Sequence, residues 1–321
     1  MPSAAPSPTP QPIWSLVLAG GEGTRLHART RRHDGVAVPK QFFPLLEGAQ
    51  TPLESTLARL APLTPARNTV VVVSEHHRPY WAPLVRARVA DHWLIQPHSR
   101  GTGLAALLGL LHIQAENPDA LVVITPADHG IRRPDHWNRA LARATTWAAA
   151  GRATLIGVPG DTLDDAYGWI VPTEPFGSDI AQVGTFVEKP EPMIARALRE
   201  SGALVSTFVV AGRVADLLGL FESAVPWLLA LARTQFVGPY TWLPRRIAQF
   251  LEHIPAVDFS ADVLANVPRR LLVLRAAECG WSDLGTPERL DEHLQNDREC
   301  SHARSVNAGL DWLGRDALQP A

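Results

Sequence analysis

The stretch Ile13-Trp-Ser-Leu-Val-Leu-Ala-Gly-Gly-Glu-Gly-Thr-Arg25 joins a continuous apolar run to a glycine-rich loop that closes with an arginine. The apolar part predicts a buried strand. The three glycines lack a Cβ atom, so their backbone can adopt positive φ and turn N–H groups toward an anion. The arginine adds a permanent fork of donors. We therefore predict a polyphosphate-binding loop formed by Ala19, Gly20, Gly21, Gly23, Thr24 and Arg25.

Two better-known glycine motifs are excluded by the residues that follow. A Walker loop requires Gly-Lys-Ser or Gly-Lys-Thr, whereas this chain has Gly23-Thr24-Arg25. The dinucleotide fingerprint requires a third glycine where Leu26 stands. This absence also argues against an NAD-linked oxidoreductase on a similar sheet.

The bulk composition is that of a globular enzyme. A chain of 321 residues, 46% hydrophobic and 19% charged, can bury an ordinary core in one large α/β domain or two small ones. The net charge of -2 provides no general attraction to nucleic acid or anionic lipid, so we expect neither as a partner. Two cysteines, Cys279 and Cys300, are too few for a disulfide framework and suit a reducing cytoplasm.

The ends of the chain differ from its middle. Residues 1–12 are rich in Pro, Ser and Ala and lack the features of a secretion signal, so we expect a disordered tail. No apolar run has the length of a membrane span, and we expect a cytoplasmic protein. Residues 13–296 are predicted to form the catalytic domain, and residues 297–321 a weakly specified extension.

Short apolar runs alternate with helical patterns through the first half of the chain. This alternation predicts an α/β fold with a Rossmann-like, mostly parallel mixed sheet flanked by helices, whose ligands bind beyond the carboxyl ends of the strands. From about residue 160 the strands become shorter and are punctuated by glycine, which indicates a substrate lobe on the same sheet. The predicted strands are 13–19, 69–73, 93–95, 120–125, 153–158, 167–171, 180–187, 204–211 and 271–275.

A second cation, Lys40, follows the glycine loop in the segment Pro39-Lys40-Gln41-Phe42. A lone lysine is usually a solvated surface residue, but together with Arg25 it would neutralise a triphosphate. Residues 18–42 resemble the signature of the sugar-1-phosphate nucleotidyltransferases, and this segment is similar to the form found in mannose-1-phosphate guanylyltransferases. The resemblance implies a Rossmann-like nucleotide-binding sheet with Arg25 and Lys40 as the phosphate clamp. It extends from residue 13 to about 290, without the isomerase domain of some larger relatives.

Two aspartates are candidate Mg²⁺ ligands. Asp128 ends a strand in Pro126-Ala-Asp-His129, where a carboxylate is well placed beside a triphosphate, although a turn-forming role is the common alternative. The resemblance implies that this aspartate binds the metal. Asp283, in Trp281-Ser-Asp-Leu-Gly285, is similar to the aspartate that completes the family's metal site; its alternative is to cap a helix that begins near Pro287.

The segment Gln96-Pro-His-Ser-Arg-Gly-Thr102 precedes a leucine-striped helix and resembles the family's nucleoside-binding segment, with Ser99 where asparagine is usual. Backbone groups at a helix start bind anions and carbonyls without side chains. A plain helical cap is an equal alternative for Thr102. The predicted nucleoside contacts are Gln96, Arg100, Gly101 and Thr102.

Three later segments are similar to the parts of the family that bind the sugar phosphate. Tyr167-Gly-Trp-Ile170 resembles Tyr-Gly-Tyr-Ile, and Phe186-Val-Glu-Lys-Pro190 resembles Phe-x-Glu-Lys-Pro. Ser206 stands where the family has asparagine, which leaves the choice of sugar open. A solvated surface pair is the alternative for the Glu-Lys sequence. The implied sugar-phosphate contacts are Tyr167, Gly168, Glu188, Lys189 and Ser206.

These residues together predict Mg²⁺-dependent transfer from GTP to mannose 1-phosphate, giving GDP-mannose and pyrophosphate. The same chemistry on another sugar 1-phosphate or nucleoside triphosphate stays open, as does a catalytically silent homologue that senses nucleotide sugars. The sequence leaves a homodimer open as well. His129 is an equal candidate for a structural role or a substrate contact. His76 and His77 show no ligand spacing with a neighbouring Cys or carboxylate, so no zinc role is expected of them.

Overall fold

The computed structural model describes residues 11–295 except positions 33, 46–48, 98, 161–165, 175–178 and 237–241. The strands are β1 Ile13–Leu18, β2 Thr69–Ser74, β3 His92–Gln96, β4 Leu121–Pro126, β5 Gly130–Ile131, β6 Ala153–Pro159, β7 Gly168–Pro172, β8 Ile180–Glu188, β9 Leu204–Arg213, β10 Leu271–Arg275 and β11 Trp281–Ser282. The helices are α1 Pro52–Leu60, α2 Arg78–Arg86, α3 Thr102–Glu116, α4 Pro134–Ala149, α5 Pro192–Glu200, α6 Val214–Ala224, α7 Pro226–Gln235, α8 Pro244–Glu252 and α9, residues 287–295.

Within the described part of the chain, nine strands form one sheet in the order β3-β2-β1-β4-β9-β6-β10-β8-β7. Strands β1, β2, β3 and β4 are mutually parallel, and β6 is parallel to β10. Strand β9 runs antiparallel to both β4 and β6, so these two point the same way. The predicted α/β class and mostly parallel mixed sheet are confirmed.

Helices cover both faces of this sheet, which explains why the central strands are apolar on both sides. Val70 to Val73 in β2 are all fully buried, with no alternation between core and solvent. Helices α3 and α6 pack on one face with the residues around Phe259, and α1 and α4 pack on the other. Helix α3 is buried almost all round because α6 and α7 also contact it.

The sheet directions place the carboxyl ends of β1, β2, β3, β4, β6 and β10 at one edge. The order reverses between β1 and β4, because β2 and β3 continue to one side and β4 begins the other. Ligands of open α/β sheets bind at such switch points. A separate two-stranded pair, β5 with β11, joins the segment after β4 to the segment after β10.

The boundaries predicted from the sequence can be compared only where residues are described. Pro12, assigned to the tail, already accepts a hydrogen bond through its carbonyl from the Leu121 N–H at 3.1 Å. Residues 1–10 of the expected tail and the expected extension 297–321 lie outside the described residues. Among the described helices, none combines the length and the apolar character that crossing a bilayer requires.

Candidate active site

The glycine loop after β1 is held by its own backbone carbonyls. Gln41, which is buried, donates through Nε2 to the carbonyls of Ala19 at 2.9 Å and Gly21 at 2.8 Å. Ser74, at the end of β2, donates to the Gly20 carbonyl at 3.0 Å. With these carbonyls bonded on the protein side, the loop is fixed at the carboxyl edge where the sequence predicts phosphate binding.

Only one of the three loop glycines has the predicted left-handed backbone. Gly23 has φ +64, and a Cβ there would lie 3.1 Å from the backbone nitrogen of Lys40. Gly20 and Gly21 do not have positive φ, so the left-handed conformation open to a glycine is used only at Gly23. They lie in a loop set by hydrogen bonds from Gln41 and Ser74, which require no unusual φ.

Lys40 joins the two ends of the predicted metal site. Its side chain is nearly buried, and its Nζ lies 2.9 Å from Asp128 Oδ2. The same ammonium donates to the backbone carbonyls of Asp283 and Leu284. One cation therefore bonds the segment after β4 and the segment after β11, so Arg25's predicted partner in the clamp lies directly between the two aspartates.

Asp283 is held by several donors at one carboxylate oxygen. Arg289 Nη1 lies 2.6 Å from Oδ1, the Gly285 N–H donates to Oδ1 at 3.0 Å, and the Tyr167 hydroxyl donates to it at 3.2 Å. The Arg289 guanidinium also lies over the Tyr167 ring, 4.5 Å from its centroid. Tyr167 from the sugar-side segment thus reaches the predicted metal ligand directly.

The two aspartates have opposite pKa shifts. Burial acts to raise the pKa of Asp128, but the charge of Lys40, with a further contribution from His129, holds that pKa below its ordinary value. Burial raises the pKa of Asp283; Lys40 opposes this shift, and the negative charge of Asp128 adds to it. Lys40 therefore acts on both carboxylates and opposes the protonation of each.

The residue set fits Mg²⁺. Two carboxylates supply the hard oxygen ligands that this ion prefers, and Mg²⁺ commonly uses one or two carboxylates and fills its other positions with water and phosphate. Lys40 bonds the Asp128 carboxylate and the Asp283 carbonyl, so the two aspartates lie in one cluster. The three hydrogen bonds to the Asp283 carboxylate described above all go to Oδ1, and none of them goes to Oδ2.

Arg25 lies near the cluster of Asp283, Tyr167 and Arg289. It lies in the short 3-10 turn Thr24–Leu26, and its side chain is exposed. Burial, and then the nearby positive charge of Arg25, lower the pKa of Arg289. Arg25 also counteracts the burial that raises the pKa of Tyr167. Arg25 therefore lies near Arg289 and Tyr167, and its role in the phosphate clamp stays a prediction.

The predicted nucleoside segment forms the start of α3. Gly101 has φ +91, and a Cβ there would lie 2.3 Å from the Val257 carbonyl oxygen. The Thr102 hydroxyl donates to Asp258 Oδ2 at 3.2 Å and accepts from the Phe259 N–H at 2.8 Å. Thr102 is the first helical residue, so its alternative role as the cap is wrong and Gly101 holds the cap position. Arg100 accepts through its carbonyl from the Val257 N–H.

Gln96 lies next to the glycine loop. A Cβ on Gly20 would be 3.7 Å from Gln96 Oε1. Gln96 is buried, and its Nε2 has no hydrogen-bond partner among the described residues. A buried amide without a partner is costly, so this donor favours a ligand that presents an acceptor to it.

The sugar-side residues form a second cluster on β7 and β8. Gly168 pairs with Glu188, and a Cβ on Gly168 would lie 2.6 Å from Glu188 Oε2. Lys189 Nζ lies 3.2 Å from Glu188 Oε1, and the Lys189 N–H donates to the Tyr167 carbonyl. Among the described hydrogen bonds, Ser206 Oγ accepts from the Phe208 N–H and contacts no other predicted sugar-side residue.

A basic cavity of about 780 Å³ opens beside Tyr167 and Trp281. The glutamates Glu278 and Glu292 also line it, but they are outnumbered by four arginines and one histidine, and this excess of basic residues favours anionic ligands. The basic residues are Arg132, Arg133, Arg275, Arg289 and His293.

Several residues of the site carry no motif that the sequence could display. Asp258 accepts a hydrogen bond from Thr102. Burial raises the pKa of Glu188, Lys189 opposes this shift, and the negative charge of Asp258 adds to it. Asp258 therefore lies near both the nucleoside segment and the sugar segment. Arg289 becomes visible only because α9 folds back to Asp283. His129 accepts through Nδ1 from the Trp281 indole N–H at 3.0 Å, and burial lowers its pKa to about 3. This contact supports the structural alternative for His129.

Comparisons with known proteins agree with this geometry. Residues 14–299 match the family model described as nucleotidyl transferase. The mannose-1-phosphate guanylyltransferase RfbM of Salmonella typhimurium is 33% identical over 301 residues, covering 92% of this chain and 60% of that protein. The alginate biosynthesis protein AlgA of Pseudomonas aeruginosa is 29% identical over 281 residues, covering 84% and 56%. The chain therefore spans less than two thirds of the length of these relatives.

A similar structure is the one described as mannose-1-phosphate geranyltransferase from Thermus thermophilus. Its TM-score is 0.72 at 28% identity, covering 85% of this chain and 76% of that chain. The family match covers nearly all of the described residues, including both aspartates and the glycine loop. The chain belongs to the nucleotidyl transferase family.

Proposed function

We propose that the chain transfers a guanylyl group from GTP to mannose 1-phosphate, releasing pyrophosphate and forming GDP-mannose. The observation that carries this proposal is the position of Lys40, whose ammonium bonds Asp128 and the carbonyls after β11 beside the glycine loop. The names of the curated relatives support the choice of mannose and guanine.

In the proposed reaction, a phosphate oxygen of the sugar phosphate attacks the α-phosphorus of the triphosphate. The new bond joins this oxygen to the α-phosphorus, and the bond to the bridging oxygen of the departing pyrophosphate breaks with its electron pair. Both reactants are anions, so the main task of the protein is to cancel repulsion and to align them. No covalent nucleophile on the protein is required.

In this proposal, residues in different parts of the site bind different parts of the two substrates. Backbone N–H groups of the glycine loop, with Arg25, bind the triphosphate, and the unpartnered amide of Gln96 donates to the nucleoside. Lys40 keeps Asp128 ionised at neutral pH and adds positive charge next to the phosphates. Glu188 accepts from sugar hydroxyls, and Lys189, whose side chain is 62% exposed, reaches the sugar phosphate.

Asp128 and Asp283 would hold a Mg²⁺ ion in this proposal. When bound, such an ion would neutralise negative charge on the phosphates. The three donors on Asp283 Oδ1 orient its carboxylate, and Lys40 orients that of Asp128. We also propose that Ser206, and Asp258 through its position near Glu188, contribute to the choice of sugar.

The test is pyrophosphate release by the purified chain with Mg²⁺, each nucleoside triphosphate and a panel of sugar 1-phosphates. We expect the highest kcat/KM for GTP with mannose 1-phosphate. Asp128→Asn and Asp283→Asn should each lower kcat by about a thousandfold or more, because each removes a charge from the centre. Asp135→Asn is the matched control, since Asp135 is exposed in the first turn of α4.

The outcomes separate the parts of the proposal. Faster turnover of another pair would overturn the choice of substrates and keep the chemistry. Absence of release with every pair, in a folded protein that still binds nucleotide sugars, would favour a silent sensing homologue. Near wild-type activity of Asp283→Asn would remove Asp283 from the metal site.

A further inference from the structure

The side chain of Glu22 leaves the glycine loop toward the turn that follows β2. Glu22 Oε1 lies 2.8 Å from His76 Nε2, and Glu22 Oε2 lies 3.4 Å from His77 Nε2. One ligand atom from each of the three residues lies within 4.8 Å of the others. Among the described residues, no other group of at least three such side chains meets this spacing.

We propose that Glu22, His76 and His77 bind a divalent transition-metal ion of the zinc type, separately from the site at Asp128 and Asp283. Two imidazoles and one carboxylate are a ligand set for zinc and its first-row neighbours, whereas Mg²⁺ prefers oxygen alone. Ligand atoms about 2.0 Å from a tetrahedral ion are about 3.3 Å apart. The three ligand atoms here lie within 4.8 Å of one another, so small side-chain shifts would bring them around one ion. A fourth position remains for water or another ligand.

The three residues differ in their exposure to solvent, and this difference would let an ion enter the site. The His77 side chain is 4% exposed, and its position is fixed by the 3-10 turn Glu75–His77 and by an edge contact with Phe42. The side chains of His76 and Glu22 are 46% and 49% exposed, so an ion can enter from solvent without unfolding. One ligand is therefore rigid and two can adjust.

The charge of Glu22 supplies a second argument, which rests on the proposed function. A carboxylate inside a loop that binds polyphosphate repels its ligand. A bound dication would reverse the sign at this position, from one negative charge to one net positive charge. It would also tie the loop to the end of β2, in addition to the hydrogen bond between Ser74 and Gly20.

The experiment measures zinc affinity by competition with a chromophoric chelator, on untagged protein, with Mg²⁺ in large excess to fill sites made of oxygen ligands. We expect one equivalent of Zn²⁺ bound, and Co²⁺ in its place should give the visible absorption of an imidazole-bound ion. His76→Asn and Glu22→Gln should each weaken zinc binding by at least about a hundredfold, because each removes a direct ligand and loss of a group that only supports a ligand already costs about tenfold to a hundredfold. Glu22→Gln keeps the size of the side chain and one acceptor oxygen, and it removes the anionic ligand.

His253→Asn is the matched control, because His253 is an exposed histidine at the end of α8. It should leave zinc affinity unchanged, and thermal melts should show that all three variants fold. Equal affinities of the wild type, His76→Asn and Glu22→Gln would overturn the proposal, as would equal weakening by His253→Asn. Because binding is read without nucleotide, failure of the proposed enzymatic function would not affect this result.

Discussion

The predicted phosphate side of the site, at the glycine loop and the start of α3, and its predicted sugar side, on β7 and β8, are held by different kinds of contact. On the phosphate side, main-chain groups hold the glycine loop and the start of α3: the side chains of Gln41 and Ser74 donate to loop carbonyls, and α3 begins against the Val257 backbone. On the sugar side the described contacts run through side chains, chiefly the Glu188–Lys189 pair beside Gly168. Main-chain contacts impose glycine at particular positions, whereas side-chain contacts can be exchanged by single substitutions.

The largest expected effect tests the main-chain character of the phosphate side. Gly101→Ala forces a Cβ to 2.3 Å from the Val257 carbonyl oxygen at φ +91, and neither backbone can yield cheaply. We expect a loss of about 4 kcal/mol or more in the free energy of unfolding, measured by urea denaturation. Gly202→Ala is the control: its φ is +80 but no atom lies within 4 Å, so it should cost about 1 kcal/mol. Equal losses would contradict the argument.

A second prediction concerns the pKa of a buried histidine, His112, in helix α3, which begins at the predicted nucleoside segment. His112 in α3 lies 2.9 Å from His92, and burial, followed by the charge of His92, lowers its pKa to about 4. The folded state therefore binds this proton less readily than the unfolded state, whose pKa is near 6.5. Stability from neutral His112 is complete above pH 6.5 and is lost as pH falls toward 4.

Comparison of wild type with His112→Gln isolates this contribution. Between pH 7 and pH 4, the wild type should lose up to about 3 kcal/mol more unfolding free energy than the variant. Guanidinium melts at several pH values provide the measurement. His253→Gln should keep the wild-type pH dependence, and a His112→Gln curve parallel to the wild type would show that His112 does not titrate in this range.

A third, smaller effect should appear when the loop loses its donor. Gln41→Leu leaves the carbonyls of Ala19 and Gly21 without the Gln41 hydrogen bonds, at a cost of about 2 kcal/mol in stability. The loosened loop should raise KM for GTP more than KM for the sugar phosphate. Gln235→Leu, at the exposed end of α7, should change neither quantity. An equal rise in both KM values would place Gln41 outside the phosphate side.

The smallest expected effect tests the side-chain character of the sugar side. Gly168→Ala meets Glu188 Oε2 at 2.6 Å and the Phe186 ring at 2.8 Å, so the carboxylate must move while the sheet stays folded. KM for the sugar phosphate should rise about tenfold, or about 1.4 kcal/mol, with KM for GTP unchanged. Gly184→Ala on β8, whose nearest contact would be 3.3 Å away, is the matched strand control. A change in KM for GTP alone would reverse the comparison.

The sequence predicted the sheet well because its central strands are continuous apolar runs and its helices have regular apolar spacing. The valine run of β2 has no alternation and must be buried on both faces, and the leucines of α3 recur at helical spacing. The aspartates and Lys40 were predicted from motifs, and the structure brings these three together. The assignment of Asp128 and Asp283 as metal ligands stays a prediction.

What the sequence did not predict depends on contacts between distant segments. Glu22 meets His76 and His77 only because β1 and β2 are parallel neighbours whose carboxyl ends lie side by side. Arg289 reaches Asp283 because α9 turns back after β11, and Asp258 meets Thr102 across the start of α3. No local sequence pattern predicts these contacts, because each of them depends on the order of the strands in the sheet.

The short pairing of β5 with β11 has a consequence for synthesis on the ribosome. A chain that ends at residue 278 would already contain every strand of the nine-stranded sheet, yet it would lack the strand that brings Asp283 to Lys40. Nascent or prematurely terminated chains of this length would resemble the folded domain in their sheet while having no complete reaction centre.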